Sequence, residues 1–258
     1  MVPGDHREAA ADGASSAGAS HWERWHGAYD NPASPLSERL RLVQAMVRGA
    51  LDDMAPAGGR EDDRGRGPAA DGGRGPGEPI RIISLCAGQG RDVIDVLAIH
   101  PRAPEVEALL VELDPALAEF ARRRAAEAGL GDRVRVEVGD ASLCRWYADS
   151  VPADLVLVCG IFGNISGEDI SATIRALPAF CRRGGNVVWT RHRRPPDATP
   201  GIRARFGEAG FTEVAFDAPD GFILGTGRHR LDGDPGIFGP FDPERRLFDF
   251  VGDGFAPA

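Results

Sequence analysis

The sequence predicts a doubly wound α/β fold, in which a mostly parallel sheet carries helices on both faces and ends in an antiparallel strand. From residue 80 onward, short apolar strand patterns alternate with helical patterns, and this order is typical of a parallel sheet. Two last strand patterns are joined by the turn Asp217-Ala-Pro-Asp-Gly221, which indicates a closing hairpin. An amphipathic helical pattern precedes the sheet and predicts an N-terminal helical extension.

Three segments precede the first strand. Residues 1–20 are small and polar, and we expect a disordered tail without a secretory signal. Residues 21–55 form the second segment, in which a helix is predicted to begin near Ser34. We interpret this segment either as a helix packed against the sheet or as a lid. The same segment repeats ring-bearing side chains at helical spacing, namely Trp22, Trp25, His26 and Tyr29. Half of residues 56–79 are Gly or Pro, which predicts a flexible linker.

Residues 80–231 form the predicted α/β domain. Apolar runs bounded by turn residues predict strands over 80–85, 107–113, 134–138, 155–159, 186–190, 212–216 and 222–227. Helical patterns predict helices over 91–99, 115–128, 167–177 and 199–209. His229 lies in the last strand pattern and is expected at the surface. No element is assigned to the C-terminal tail, 232–258.

The composition restricts the chemistry. The formal net charge is -9, which does not favour a nucleic acid as the main partner. There is no lysine, so a P-loop lysine, a pyridoxal-phosphate Schiff base and a lysine nucleophile are excluded within this chain. The four cysteines form no Cys-x-x-Cys pair, and we expect reduced thiols, a cytoplasmic protein and no metal. No apolar run approaches the ~20 residues of a membrane helix.

The ends of the first four strands carry the residues suited to a ligand. In parallel sheets of this kind, ligands bind at the carboxyl ends of the strands. The first strand ends in Cys86-Ala-Gly-Gln-Gly90, and the second ends at Glu112, placed to accept two ribose hydroxyls. Asp140 follows the third strand, and Cys159-Gly160 follow the fourth. Each signal is weak alone, but the four in order predict a nucleoside ligand.

These motifs resemble the class I S-adenosylmethionine-dependent methyltransferases over about residues 80–230. The resemblance implies a seven-stranded sheet with strand seven antiparallel, S-adenosyl-L-methionine as cofactor and S-adenosyl-L-homocysteine as product. Glu112 would bind the ribose, and Leu113 would pack on the adenine. Further cofactor contacts carried over by position are those at the methionine end (Cys86, Ala87, Gly88, Gln89, Gly90), those at the adenine (Asp140, Ala141) and those beside the sulfonium (Cys159, Gly160).

Two positions depart from the family pattern. Ser84 stands where the family usually has an acidic residue, and Cys86 stands where it has its first glycine. We expect Asp92 or a water to meet the methionine ammonium instead. In a dinucleotide-binding Gly-x-Gly-x-x-Gly turn the third glycine would fall at Val93, and its absence favours a methyl donor over a dinucleotide.

Methyl transfer needs a positioned acceptor and, for a hydroxyl or carboxylic acid, a base. His192 is the candidate base, after the fifth strand, with Arg191 as its catalytic neighbour. Alternatively these side chains face solvent and the arginines balance acidic surface. Substrate contacts are expected from Tyr29, Phe162, Asn164 and Arg193.

The leading hypothesis is therefore a methyltransferase that acts on a small molecule by O- or N-methylation, with an anionic acceptor as one expectation. An RNA methyltransferase and a non-catalytic protein that binds a nucleoside cofactor are kept as alternatives. No nucleic acid or membrane partner is favoured, and a homodimer is possible.

Overall fold

The computed structural model describes residues 27–31, 33–54, 74–75, 77–219, 221 and 223–251. The tail 1–20, the residues Trp22, Trp25 and His26, and most of the linker lie outside the described residues. Among the described helices, none is both long and apolar enough to cross a bilayer.

The described residues form seven strands and five α-helices. The strands are β1 (Ile80–Leu85), β2 (Val106–Glu112), β3 (Val134–Val138), β4 (Ala153–Val158), β5 (Cys181–His192), β6 (Phe211–Asp217) and β7 (Leu224–Leu231). The helices are α1 (Pro35–Asp53), α2 (Arg91–Leu97), α3 (Pro115–Glu127), α4 (Gly167–Ala176) and α5 (Thr199–Glu208). Single 3-10 turns occur at Gly27–Asp30, Ala103–Glu105, Cys144–Tyr147 and Leu177–Phe180.

One sheet has the strand order β3-β2-β1-β4-β5-β7-β6. Strands β1 to β5 pair in parallel, and β7 runs antiparallel between β5 and β6. The predicted fold, with its antiparallel last strand, is confirmed. The chain order reverses between β1 and β4, and a crevice opens at the carboxyl ends of strands at such a reversal.

The core lies on both faces of the sheet. On one face, Val47 and Leu51 of α1 are fully buried in a cluster with Ile82 of β1. On the other, Trp189 of β5 stacks on Phe206 of α5 with ring centroids 5.9 Å apart. Helix α1 therefore belongs to the layer of helices that covers the sheet. Each buried aromatic side chain removes a large apolar area from water.

The expectation that His229 lies at the surface is wrong, because β7 is an interior strand. His229 is 1% exposed, its ring stacks on Phe206 at 4.5 Å, and its Nδ1 accepts a hydrogen bond from Trp189 Nε1 at 3.1 Å. A surface position was expected because the sequence around it, Gly227-Arg-His-Arg230, is polar. The hydrogen bonds of β7 to β5 and β6 instead place alternate polar side chains inside the protein.

The C-terminal segment folds back over the loops that follow β3 and β4. Residues 242–251, which we call the C-terminal strap, form isolated antiparallel bridges with Leu143 and Ile165. Leu247 N–H donates to the Ser142 carbonyl at 2.8 Å, and the Leu247 side chain is 2% exposed. No element had been assigned to this tail, since its turns and aromatic residues show no period.

Candidate active site at the carboxyl edge of the sheet

The turn after β1 has a left-handed backbone at three positions. Gly88 and Gly90 have φ values of 56° and 65°, and Cys86 has φ 50°. A Cβ at Gly90 would lie 2.7 Å from both Ile94 Cδ1 and Leu110 Cδ2, so this position requires glycine. Cys86 thus keeps the conformation that a glycine would adopt easily, at the cost of local strain.

Glu112 joins this turn to the end of β2. Its carboxylate accepts the backbone N–H groups of Gly88 at 2.7 Å and Asp114 at 2.9 Å. The side chain is 8% exposed, and burial raises its pKa. A carboxylate has about four acceptor positions, so two stay available to a ligand. Leu113 is 41% exposed at the same edge and offers an apolar surface.

The Asp140 carboxylate accepts hydrogen bonds through both of its oxygens. Its Oδ1 accepts Ser142 N–H at 3.0 Å and Ser142 Oγ–H at 2.7 Å, and its Oδ2 accepts Arg246 Nη1–H at 3.0 Å. Burial alone would raise the pKa of Asp140, but the bonds from Ser142 and the charge of Arg246 lower it. The carboxylate is therefore kept charged. The neighbouring Ala141 is buried, and its carbonyl accepts Tyr147 OH at 2.7 Å.

A cluster of polar side chains gathers between the first turn and the end of β4. Arg39 of α1 donates to the hydroxyl of Tyr29 and lies 3.6 Å from the place of a Cβ on Gly160. Burial raises the pKa of Asp92 to about 6, while the nearby positive charge of Arg39 opposes this rise. Burial also raises the pKa of Tyr29, on which Arg39, Asp92 and Cys159 act electrostatically. These contacts bring residues from α1, α2 and β4 together.

The residues after β4 are tied to β5. Gly160 has φ 77°, and its N–H donates to Thr190 Oγ at 2.8 Å. Its carbonyl accepts Asn164 Nδ2–H at 2.7 Å, which fixes the loop. Burial raises the pKa of the Cys159 thiol, which stays neutral.

His192 and Arg191 end β5 next to that loop. A Cβ on Gly163 would lie 3.6 Å from His192 Cδ2 and 3.8 Å from Arg191 Nη1. Burial, and secondarily Arg191 and Arg194, lower the pKa of His192. Its Nδ1 is buried and has no hydrogen-bond partner among the described residues. The imidazole is therefore neutral near pH 7 and has a nitrogen available.

The structure does not bring two of the expected substrate contacts into this site. Phe162 is fully buried, with its ring 6.1 Å from that of Trp189, because the apolar loop after β4 turns into the core. Arg193 instead pairs with Asp197 at 3.2 Å, beside the connection to α5. The carbonyl of Phe162, however, accepts a hydrogen bond from Arg191.

Several residues at this edge were not predicted from the sequence to belong to the site. Arg39 lies in the second turn of α1, and Arg246 lies in the strap; neither carries a motif. Only the packing of those two segments brings the guanidinium of Arg39 to Gly160 and that of Arg246 to Asp140. Thr190 had a possible signal, since it is a polar residue at the buried end of β5, where it is 2% exposed.

Comparisons with known proteins agree with this geometry. Residues 82–185 match the family model described as a methyltransferase domain. Aclacinomycin 10-hydroxylase RdmB of Streptomyces purpurascens is 41% identical over 91 residues, 35% of this chain and 23% of that protein. Protein-L-isoaspartate O-methyltransferase of Hyperthermus butylicus is 33% identical over 93 residues, 34% of this chain and 38% of that protein. The chain thus spans well under half the length of these relatives.

Among solved structures, magnesium protoporphyrin IX methyltransferase from Synechocystis with bound SAM has the same fold. Its TM-score is 0.56 at 13% identity, and the likeness covers 81% of this chain and 90% of that one. The shared fold thus extends well beyond the residues that the family model matches.

Proposed function

We propose that the chain is a class I S-adenosylmethionine-dependent methyltransferase that methylates a small molecule and releases S-adenosylhomocysteine. One observation carries this proposal. The glycine turn after β1, the buried Glu112, the charged Asp140 and the open backbone at Gly160 all lie at the carboxyl edge where the sheet order reverses. That edge suits a nucleoside with a polar tail.

The residues at this edge fit each part of the cofactor. Glu112 keeps two acceptor positions for ribose hydroxyls, and Leu113 offers apolar surface to the adenine. Asp140 is proposed to accept a hydrogen bond from the adenine amino group, and the Ala141 N–H is proposed to donate one to the adenine ring. At the other end, Cys159 and Gly160 leave room beside the sulfonium. When bound, the cofactor supplies a methyl group already activated by its sulfonium charge.

Arg39 and Asp92 are proposed to hold the methionine end. Arg39 carries a positive charge for the cofactor carboxylate, and Asp92 carries an oxygen for its ammonium. In this assignment Asp92 takes the place of the acidic residue that the family usually has at the position of Ser84. Ser84 itself is 1% exposed inside β1 and carries no charge. Tyr29, bound to Arg39, is proposed to cover this end from the acceptor side.

The acceptor is proposed to lie between His192, Arg191 and Asn164. The neutral imidazole of His192 can take a proton from a hydroxyl or amine as the methyl group is transferred. The Nε of Arg191 is buried and has no hydrogen-bond partner among the described residues, so it can bind an anionic group of the acceptor.

The first experiment measures cofactor binding by titration calorimetry. We expect S-adenosylmethionine and S-adenosylhomocysteine to bind with micromolar affinity and NAD not to bind. Glu112→Ala should weaken binding by about 1–3 kcal/mol, the cost of losing a charged hydrogen-bond partner. Glu119→Ala, on the exposed side of α3, is the matched control. Binding of NAD alone would overturn the proposed function.

The second experiment tests methyl transfer itself, because one relative is named a hydroxylase. The protein is incubated with isotopically methyl-labelled S-adenosylmethionine and metabolite extracts, and products are found by mass spectrometry. We expect labelled methyl in a small-molecule product together with S-adenosylhomocysteine. Incorporation of oxygen without methyl, or tight cofactor binding without any product, would contradict the proposal.

A further inference from the structure

An arginine-lined cavity lies at the amino edge of the sheet, opposite the edge described above. Its volume is about 220 Å³. The starts of β4 and β5, the end of β7 and the end of α1 surround it. Five arginines line it, against two carboxylates, in a chain whose formal net charge is -9: Arg74, Arg182, Arg183, Arg228 and Arg230.

Two of these guanidinium groups are buried with unused donors. Arg182 is 8% exposed and Arg228 is 6% exposed. Among the described residues, Arg182 Nη2 and Arg228 Nε have no hydrogen-bond partner. Buried polar groups are almost always paired, and an unpaired donor on a charged group is costly. These donors therefore point to a ligand that accepts hydrogen bonds.

The carboxylates around the cavity are already engaged. Asp154 accepts Arg81 N–H at 2.8 Å through one oxygen and pairs with Arg182 Nε at 3.1 Å through the other. Glu78 pairs with Arg182 Nη1 at 3.2 Å, and Asp53 pairs with Arg228 Nη2. These pairs use other atoms of the same guanidinium groups. They balance charge but leave Arg182 Nη2 and Arg228 Nε without a hydrogen-bond partner among the described residues.

Asn186 adds an unused acceptor. It is 3% exposed, and its Oδ1 has no partner among the described residues, while its Nδ2 donates to the Gly184 carbonyl at 3.4 Å. A ligand that satisfies this cavity must therefore accept bonds from guanidinium groups and donate one to an amide oxygen. Hydrogen phosphate has both properties, whereas sulfate has no proton to donate.

We propose that this cavity is a binding site for a small phosphate, held by Arg182 and Arg228 and recognised through its hydroxyl by Asn186. Arg183 also lines the cavity and adds positive charge, whereas Arg230 is paired with Asp232 at 2.8 Å. Arginine suits this role because its planar guanidinium forms paired hydrogen bonds with phosphate oxygens. The site lies at the opposite edge of the sheet from the cofactor, so it does not depend on the proposed methyl transfer.

The experiment titrates the full chain with inorganic phosphate by calorimetry and ³¹P NMR, at ionic strength held constant with chloride. We expect one saturable site with at least fivefold tighter binding of phosphate than of sulfate. Added S-adenosylhomocysteine should not displace the phosphate. Equal affinity for sulfate, unsaturable binding, or displacement by S-adenosylhomocysteine would each overturn the proposal.

Two variants test the residues. Asn186→Asp places a negative charge in the cavity and should abolish phosphate binding while raising the melting temperature without phosphate. Arg228→Gln should weaken binding at least tenfold. Arg175→Gln, on the exposed side of α4, is the control and should bind phosphate like the native protein. Native-like phosphate binding in both cavity variants would contradict the assignment.

Discussion

Arg246 Nη1 lies 3.0 Å from Asp140 Oδ2, so the C-terminal strap contacts the carboxylate that follows β3. The same guanidinium nitrogen is 2.7 Å from Ser142 Oγ, whose hydroxyl also binds Asp140. Oδ1 thus accepts two bonds and Oδ2 accepts one, which leaves one acceptor position on Oδ2. This position is where the proposed adenine amino group would bind.

Arg246→Gln should therefore weaken S-adenosylhomocysteine binding roughly two- to fivefold, the magnitude of an exposed charge pair. The loss follows from the freedom that Asp140 would gain, and calorimetry measures it. Arg245→Gln is the matched control, because it removes the neighbouring charge in the strap. Tighter binding in Arg246→Gln would show that Arg246 blocks the site instead of ordering it.

His192→Gln should lower kcat roughly 10²- to 10⁴-fold if His192 acts as the proposed base. The cofactor dissociation constant should stay unchanged, since the side chain is placed on the acceptor side. The native enzyme should lose activity as the pH falls through a value below 6.5, because the pKa of His192 is lowered and only the neutral form accepts a proton. Rates measured over pH 5 to 9 test both points. A variant with native kcat would remove this role.

Cys86→Gly should change the free energy of unfolding by less than about 1 kcal/mol. Glycine relieves the strain of the left-handed backbone at φ 50°. This gain is offset because the packing of the cysteine side chain is lost and because glycine raises the entropy of the unfolded chain. Cys86→Val should cost about 2 kcal/mol or more, because a β-branched side chain is poorly accommodated there. Urea unfolding measures both variants. Equal stability of the two would mean that the turn relaxes away from its left-handed backbone.

The strand pattern predicted the fold because β1, β2 and β4 are largely apolar runs between turn residues. Strands β1 and β3 begin and end where the sequence predicted them. Strand β5 starts at Cys181, five residues before its predicted start, since Arg182, Arg183 and two glycines do not look like a strand. Cys181 pairs with Ala153 of β4, and a register shift precedes the next pair, Asn186 with Leu155. Within this irregular stretch, Arg182 forms ion pairs with Glu78 and Asp154.

From the sequence, only those site residues could be predicted that belong to short motifs directly after a strand. The glycine turn, Glu112, Asp140 and Gly160 come directly after strands, and parallel pairing alone brings such ends to one edge. Arg39 and Arg246 depend on where a helix and a strap pack, which no local pattern encodes. Phe162 was wrongly expected in the site, because a residue that follows a strand can also turn inward and become part of the core.

His229 should make the protein less stable in mild acid. Burial lowers its pKa to about 4, against about 6.5 in an unfolded chain. Above pH 6.5 the ring is neutral in both states and has no effect; as the pH falls from 6.5 to 4, only the unfolded state binds the proton. About 3 kcal/mol of stability should therefore be lost over that range.

Urea unfolding at several pH values between 4 and 7 measures this loss, and His229→Gln is the comparison. Glutamine keeps an acceptor for Trp189 Nε1–H but does not titrate, so the variant should lose markedly less stability than the native protein over the same range. Glu213 is present in both proteins, and its pKa is lowered chiefly by its hydrogen bond from Arg203, so most of its contribution is common to the two curves. Parallel stability curves for the two proteins would show that His229 takes up its proton without unfolding.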